Sequence, residues 1–315
     1  MAAIQTVSGA IDSSRLGFTL MHEHILVANW SMRRAFADWY DRKSHVPRAV
    51  AELRSAQERG VTTLVDLTAI NLGRDIDVIR EVAEKAEMQV IAATGLYWTE
   101  EPWLLAWEPD RIAEYFVRDI ERGIEGTRIR AGILKCATDH FGVTPTNEKV
   151  LRATARAHRA TGVPISTHTS VAHRVGPSQQ EIFADEGVDL SRVVIGHCGD
   201  TDDLAHLEEI LARGSSIGMD RFGLEMLLPT EKRVSTVAEL CRRGRADRMV
   251  LSHDACCHID FAPPGLLEGL APRWNFRHIP DDVIPALRKE GVSEGDLRAL
   301  TVDNPRRIFE AQGAY

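Results

Sequence analysis

The chain has 315 residues, of which 44% are hydrophobic and 27% charged, with a formal net charge of -8. That length is normal for a single α/β barrel, and the apolar fraction is sufficient for a large buried core. No block of Lys and Arg offsets the acidic balance, so neither nucleic acid nor an anionic membrane is expected as the main partner.

The N-terminal segment MAAIQTVSGAIDSSRLG has neither the basic region nor the apolar stretch of a secretory signal. No apolar run approaches the roughly 20 residues that cross a bilayer. The five cysteines form no CxxC pair, and the neighbours Cys256 and Cys257 form a disulfide only with strain. Reduced thiols and a cytoplasmic location are therefore expected.

Eight short runs recur along the chain, and each is short enough to be one strand. Most are continuously apolar before a polar end, which is typical of parallel strands covered on both faces. The runs are 18–24, 62–68, 89–97, 131–138, 163–169, 192–199, 215–222 and 248–255.

Longer amphipathic runs lie between these strands. Helices are predicted over 45–60, 110–123, 147–162 and 202–214, and Gly60 and Gly162 are suited to end the first and third of them. Strands that alternate with helices form parallel βαβ units, and eight such units predict a closed (β/α)8 TIM barrel, a single domain over residues 1–315. The alternative is an open doubly wound sheet, but no GxGxxG follows the first strand and eight even repeats favour closure.

Polar side chains lie at the carboxyl ends of these strands, where barrels of this type place their active sites. The first predicted strand ends in His22 and His24. Strand side chains alternate between faces, so both rings point the same way, into the barrel mouth. Two converging imidazoles suit Zn, Mn, Co or Fe. The alternative is a pair of unrelated histidines, one packed and one exposed.

Lys135 lies in the apolar run that forms the fourth predicted strand. A buried ammonium is unfavourable, so this lysine must be paired, neutralised or modified, unless it extends to the rim. Burial lowers the pKa of an amine and frees its lone pair, which can add carbon dioxide to form a carboxylate-like carbamate or form a Schiff base with a carbonyl substrate. The neighbouring histidines favour the carbamate.

Three further candidates end later strands. His168 ends the fifth predicted strand and His197 the sixth, a placement that suits two ligands of a second metal. Asp254 ends the eighth, where it can ligate a metal and also accept a proton. His253 precedes it, points to the opposite face and is interpreted as structural.

In this order the residues His22, His24, Lys135, His168, His197 and Asp254 resemble the ligand set of the amidohydrolase superfamily. The segments TLMHEH, GILKCATD, STHT, IGHCGDTDD, GMDRFG and SHDACC resemble, more closely, the phosphotriesterase family and its phosphotriesterase-like lactonases. The resemblance covers essentially the whole chain, through APRW at 271–274 and DNPRRIF at 303–309.

The resemblance implies an amidohydrolase-type barrel with two divalent metal ions, most simply Zn, with Co, Mn or Fe as alternatives. His22, His24 and Asp254 would hold the buried ion and His168 and His197 the outer one. An N6-carboxylated Lys135 and a hydroxide would bridge the two ions, and the hydroxide would attack the substrate carbonyl.

The same resemblance implies a pocket and a substrate class. Tyr97 and Arg221 match positions that line the lactonase pocket, and Cys256 is included with the substrate-binding residues. Phe261 stands where lactonases of this family often carry Trp, within an apolar loop at 255–275 that is interpreted as a lid or channel wall. The expected substrate is a lactone, such as an N-acyl homoserine lactone as in quorum quenching, and weak phosphotriesterase activity and a homodimeric assembly are expected with it.

Several alternatives stay open on the sequence. The nearest is a family member tuned to phosphotriesters or another carboxylic ester. A Schiff-base aldolase that uses Lys135, or a non-catalytic metal-binding barrel, is more remote. The roles of Trp98, Trp103 and Trp107, which crowd the loop after the third predicted strand, are open between packing, a dimer interface and the site.

Overall fold

A computed structural model describes residues 2–263, 265–310 and 313–315 of the chain. Eight parallel strands form one sheet in which each strand pairs with its neighbour in sequence order. They follow an N-terminal hairpin, β1 (Ala3–Thr6) and β2 (Gly9–Asp12). The barrel strands are β3 (Phe18–Glu23), β4 (Val61–Asp66), β5 (Gln89–Gly95), β6 (Ile133–Ala137), β7 (Ile165–His168), β8 (Val193–Ile195), β9 (Ser216–Met219) and β10 (Met249–Leu251).

The sheet curls until its first and last strands meet. The backbone N–H of Asp254, just after β10, donates to the carbonyl of His22 in β3 at 2.9 Å, and the N–H of His24 donates to the carbonyl of Ala255 at 2.8 Å. The eight predicted strands and the (β/α)8 barrel are therefore confirmed. The observed strands stop earlier than the predicted runs, because the polar ends of the runs belong to the loops at the barrel mouth.

Helices connect the strands and pack around the barrel. The four predicted helices correspond to α2, α4, α5 and α7, and Gly162 ends α5 with a positive φ of 77°. The helices are α1 (Trp30–Ala35), α2 (Arg42–Gln57), α3 (Ile76–Ala86), α4 (Pro109–Glu121), α5 (Pro145–Thr161), α6 (Gly176–Asp185), α7 (Leu204–Ala212), α8 (Thr230–Arg242), α9 (Leu266–Leu270), α10 (Ile284–Lys289), α11 (Glu294–Arg298) and α12 (Asn304–Glu310).

The hairpin covers the end of the barrel opposite the strand carboxyl ends. Val7 donates its N–H to the carbonyl of Val90 near the start of β5. Ile4 is fully buried in the cluster that fills the barrel interior, together with Met21, Val65 and Ile91. The sequence interpretation did not include this hairpin. Because it closes one end, only the other end of the barrel is left open for a site. Among the described residues, no helix combines the length and apolar character needed to cross a membrane.

Candidate metal centre

The first two candidate ligands lie where the barrel closes. His22 belongs to β3 and His24 follows its last residue, and both rings line the pocket at the barrel mouth. Between them Glu23 points to the other face, where its carboxylate accepts a hydrogen bond from Nδ1 of His253 at 2.7 Å. The alternation inferred from the spacing is thus observed, and His253 does not line the pocket.

Four donor groups converge at the place where the barrel closes. Oδ1 of Asp254 lies 3.0 Å from Nε2 of His24 and 3.3 Å from Nε2 of His22. Nζ of Lys135, at the centre of β6, lies 3.1 Å from the same His22 nitrogen. The two histidines and the lysine are buried, whereas the Asp254 side chain keeps 14% of its surface exposed toward the pocket.

The remaining two candidates, His168 and His197, face each other beside this group. Nδ1 of His168 lies 2.7 Å from Nε2 of His197, with the rings nearly perpendicular. The His197 ring also stacks on that of His22 at a centroid distance of 4.9 Å. The structure therefore brings together all six side chains singled out in the sequence, although they come from strands spread over more than 230 positions.

A carboxylate behind the cluster holds two of its rings. Asp220, directly after β9, accepts from Nδ1 of His22 at 3.1 Å and from Nδ1 of His197 at 3.0 Å. It also accepts from the backbone N–H of His197 at 3.1 Å. The sequence interpretation missed Asp220. Its position at the end of a barrel strand is the signal that could have found it.

Each of the other two histidines has an oxygen partner of its own. Thr68, beyond the end of β4, lies 2.9 Å from Nδ1 of His24. Asp139, in the loop after β6, has Oδ2 at 2.5 Å from Nε2 of His168. These two partners were also missed. Metal-binding histidines commonly donate their second ring N–H to such an oxygen, which fixes the tautomer and the ring orientation.

The chemistry of these contacts fits a cation. A carboxylate only accepts, so Asp220 and Asp139 place the protons on Nδ1 of His197 and on Nε2 of His168. The nitrogens that face each other at 2.7 Å then both carry lone pairs, which repel unless a positive charge lies between them. The carboxylate Oδ1 of Asp254 makes a similar demand 3.3 Å from Nε2 of His22, because Asp220 places the His22 proton on Nδ1. Nitrogen and carboxylate donors of this kind suit first-row divalent ions.

The electrostatics leave these groups in metal-binding form. Burial lowers the pKa of His168 to about 4 and that of His197 well below its ordinary value, so both rings are neutral near pH 7. Burial also lowers the pKa of Lys135 to about 8, which makes a neutral amine accessible. Burial by itself raises the pKa of a carboxyl, but His22 and His197 hold the pKa of Asp254 well below its usual range.

Backbone strain is concentrated here as well. His197, Arg221 and Asp254 adopt left-handed conformations, with φ of 58°, 61° and 55°. Each such non-glycine residue costs on the order of 1–3 kcal/mol and tends to occur at functional sites. All three residues belong to the cluster, since His197 lies 2.7 Å from His168 and Arg221 donates to Asp254 at 3.0 Å.

Arg221 connects the cluster to the pocket rim. Its Nε donates to Oδ2 of Asp254 at 3.0 Å, and its Nη1 donates to Oδ2 of Asp200 at 2.9 Å. The buried Arg233 donates in turn to Oδ1 of Asp200 at 2.8 Å. This alternation of charges holds the Arg221 guanidinium in one orientation. Asp200 and Arg233 were not identified from the sequence.

A pocket of about 560 Å³ opens above these groups. Its polar groups lie at the base, and its walls are largely apolar and include Ile259, Phe261 and Leu267. His197 lies beneath the pocket and does not line it. The other predicted site residues do line it, namely His22, His24, Tyr97, Lys135, His168, Arg221, Asp254, Cys256 and Phe261.

Tyr97 lies against the histidine cluster, whereas Phe261 lies at the mouth of the pocket. The Tyr97 ring packs edge-on against that of His168 at 5.0 Å, and burial raises the pKa of its hydroxyl above the ordinary value. Phe261 is 64% exposed at the mouth. The loop that carries Phe261 is thus a wall of the pocket, consistent with the channel-wall interpretation of 255–275, of which residue 264 lies outside the described residues.

The three tryptophans of the β5 loop lie outside this pocket. Trp103 packs against Trp107, which stacks on Tyr115 of α4. Trp98 packs against Tyr97 and His140 instead. The arrangement favours a packing role for Trp103 and Trp107 and indirect support of the pocket by Trp98.

Comparisons with known proteins agree on one family. The model of the phosphotriesterase family matches residues 2–309. The "Phosphotriesterase homology protein" of Mycobacterium tuberculosis is 50% identical over the full length of both chains. The "Aryldialkylphosphatase" of Saccharolobus solfataricus is 40% identical and covers 95% of this chain and 97% of that protein. A solved structure described as the phosphotriesterase from Mycobacterium tuberculosis superposes with a TM-score of 0.97 at 50% identity, with all of both chains covered.

Proposed function

The chain belongs to the phosphotriesterase family, and from that premise we propose that it is a binuclear metal-dependent lactonase with weaker activity on phosphotriesters. The observation that carries the hydrolase assignment is the convergence of six donor side chains under one pocket, with lone pairs directed at each other. N-acyl homoserine lactones are the first substrates to test, since the pocket joins a polar base to an apolar wall.

Two groups of residues would hold the ions. His22, His24 and Asp254 would bind one ion, and His168 and His197 the other. Zn is the first choice, with Co, Mn or Fe as alternatives, since imidazole and carboxylate ligands accept all of these. When bound, the cations supply Lewis acidity and lower the pKa of a water molecule to near neutrality.

Lys135 would join the two groups as a carbamate. Its neutral amine adds to the carbon of carbon dioxide, so that an N–C bond forms and one amine proton leaves to solvent. The product would be an anionic carboxylate attached to Nζ, which lies beside His22. This resolves the burial of a lysine that is only 1% exposed, because the anion is then neutralised by the cations it binds.

Tyr97 and Arg221 would orient the substrate. The Tyr97 hydroxyl stays protonated at neutral pH, because burial raises its pKa, and it can donate a hydrogen bond to the carbonyl oxygen. Arg221 directs its Nε at Asp254 and its Nη1 at Asp200, which fixes its position at the edge of the lactone site.

Asp254 would transfer the proton from the attacking water to the leaving group. Water oxygen bonds to the lactone carbonyl carbon, the ring C–O bond breaks, and the product is a hydroxy acid. Asp254 accepts the proton that the attacking water loses and returns it to the leaving alkoxide oxygen. Asp254 is ionised at working pH, because its pKa lies well below the usual range of a carboxyl.

A phosphotriesterase is the second candidate. The 40% identity to a protein named aryldialkylphosphatase supports it, and the same cluster would stabilise a phosphoryl oxygen. The preference for a lactone rests on the apolar lining of the pocket, which includes Ile259, Phe261, Leu267 and Leu270 and suits a substrate with an apolar arm.

Metal analysis combined with a substrate panel tests the proposal. We expect two bound ions per chain and a higher kcat/KM for N-acyl homoserine lactones than for paraoxon. The reverse order would make the protein a phosphotriesterase, and two ions without turnover would favour a binding protein. Turnover that survives chelation, with borohydride trapping on Lys135, would favour an aldolase.

A lysine variant tests the bridge. Lys135→Ala is expected to lose metal and activity together, and a short-chain carboxylic acid should partly restore both. A variant that keeps two ions and full turnover would contradict the bridge. The homodimeric assembly, the cytoplasmic location and the single-domain assignment over 1–315 stay predictions.

A further inference from the structure

The four histidines of the centre are not held in the same way. His22 and His197 are held by Asp220, and His24 is held by Thr68. Asp220 and Thr68 are at most 1% exposed. Asp220 directly follows β9, and Thr68 lies two residues beyond the end of β4. Their positions are therefore set by the barrel itself.

His168 is held from a loop. Its partner Asp139 lies beyond the end of β6, and the Asp139 side chain is 22% exposed. The loop folds into a tight turn in which Gly142 donates its N–H to the carbonyl of Asp139 at 2.8 Å. The backbone N–H of His140 donates to the second carboxylate oxygen, Oδ1, at 2.6 Å. Phe141, at the tip of the turn, is 70% exposed.

We propose that Asp139 is a positioning residue that fixes the tautomer and orientation of His168, and that it thereby sets the affinity of the outer ion separately from that of the inner one. This inference rests on the proposed binuclear function and deepens it.

The ring nitrogen that faces the centre is not the same in all four histidines. His168 presents Nδ1 to His197, whereas His22, His24 and His197 present Nε2 to the cluster. A cation at Nδ1 needs the lone pair there, so the proton must be on Nε2. The carboxylate of Asp139 accepts that proton's hydrogen bond at 2.5 Å. Without it, the described contacts offer Nε2 of His168 no other acceptor, and the ring is free to take the other tautomer.

The inner ion depends on none of these contacts. Its proposed ligands are His22, His24 and Asp254, which touch Asp220, Thr68 and Arg221 but not Asp139. Loss of the Asp139 carboxylate is therefore expected to lower the affinity for the outer ion by about 10–100-fold, the usual effect of removing such a partner. The affinity for the inner ion should be unchanged.

The experiment is a titration of the metal-free, full-length protein with Co²⁺ against a competing chelator, followed by the visible absorption of bound Co²⁺. Asp139→Ala and Asp139→Leu both remove the acceptor, and the leucine keeps the side-chain size in case the alanine variant does not fold. Asp139→Asn retains one acceptor oxygen. We expect the first equivalent to bind with wild-type affinity in all variants, and the second to bind about 10–100-fold more weakly in the Ala and Leu variants and less weakened in the Asn variant.

Asp282→Ala is the matched control. Asp282 accepts from Nδ1 of the buried His278 at 2.8 Å, so this variant breaks the same kind of pair away from the pocket. Both of its equivalents should bind as in the wild type. Wild-type affinity for both equivalents in the Ala and Leu variants would overturn the inference, and so would equal weakening of both. A wild-type protein that binds fewer than two ions would overturn the binuclear function as well, which separates the two failures.

Discussion

Asp220→Asn replaces a carboxylate that accepts three hydrogen bonds by an amide that can accept at one oxygen only. Oδ2 of Asp220 receives the His22 ring and the His197 backbone N–H, and Oδ1 receives the His197 ring. If the amide oxygen takes the Oδ1 position, two buried donors face an NH2 group. If it takes the Oδ2 position, only the His197 ring does, so the second orientation is favoured.

The consequence falls on His197. A buried donor left without an acceptor costs about 1–3 kcal/mol. The ring avoids this cost when its proton moves from Nδ1 to Nε2, so that Nδ1 accepts from the amide instead. Nε2 is the nitrogen that faces His168 at 2.7 Å, and its lone pair is then lost to the outer ion. We expect the outer ion to bind about 10–100-fold more weakly, while His22 keeps its acceptor and the inner ion is largely retained.

Two measurements check this reasoning. Metal titration should show one weakened equivalent in Asp220→Asn and two in Asp220→Ala, and ¹⁵N NMR of the metal-free variant should show His197 protonated at Nε2. Asp119→Asn is the control, because Asp119 is a buried carboxylate that binds Arg74 and Thr94 away from the pocket. It should reduce stability but not metal affinity. Retention of both equivalents at wild-type affinity in Asp220→Asn would refute the tautomer argument.

Three further outcomes are expected. Asp254→Asn should fold and lower kcat by about 10²–10⁴-fold if proton transfer is its main role, which is measured with saturating metal and checked against metal content. Since the pKa of Lys135 is about 8, the neutral fraction of its amine rises about tenfold between pH 7 and pH 9, and the rate of CO2-dependent metal uptake by the metal-free protein should rise with it. A lysine with the ordinary pKa of 10.5 would instead give a rise of about 100-fold over the same range, with no levelling toward pH 9. Gly95→Ala should reduce both metal content and thermal stability, because a Cβ at Gly95 would lie 1.8 Å from the carbonyl oxygen of Lys135 and the Gly95 φ is +133°. Gly60→Ala is the control and should leave metal content unchanged, since a Cβ at Gly60 meets no atom within 4 Å.

The barrel and the cluster of candidate ligands were predictable because both follow from the ends of apolar runs. A run such as 131–138 marks a buried strand, and a polar residue at its end is carried to the mouth whatever the helices do. The N-terminal hairpin was not predictable in this way. Its strands have four residues each, and neither forms an apolar run, so only the packing of Ile4 inside the barrel reveals the hairpin's place.

The residues that hold the candidate ligands also differ in whether the sequence could predict them. Asp220 and Thr68 are at or just beyond strand ends, so the rule that found His168 would have found them had it been applied to acceptors as well as to metal donors. Asp139 follows no such rule. Its contact with His168 depends on a tight turn between β6 and α5, and the turn's geometry is set by local backbone hydrogen bonds that leave no periodic pattern in the sequence.

The two ions would therefore depend on parts of the fold with different rigidity. His22 and His24 are held by Asp220 and Thr68, which are at most 1% exposed and lie within two residues of strand ends, so local opening there would disturb the buried barrel. Asp139 is held by a solvent-facing turn, and such segments open at a smaller free-energy cost than strands do. Fluctuation of the turn would release His168 without unfolding the barrel, so the outer ion would exchange faster than the inner one. The residue that this fluctuation would release also bears on the substrate, because His168 lines the pocket and packs against Tyr97, which is proposed to orient the substrate.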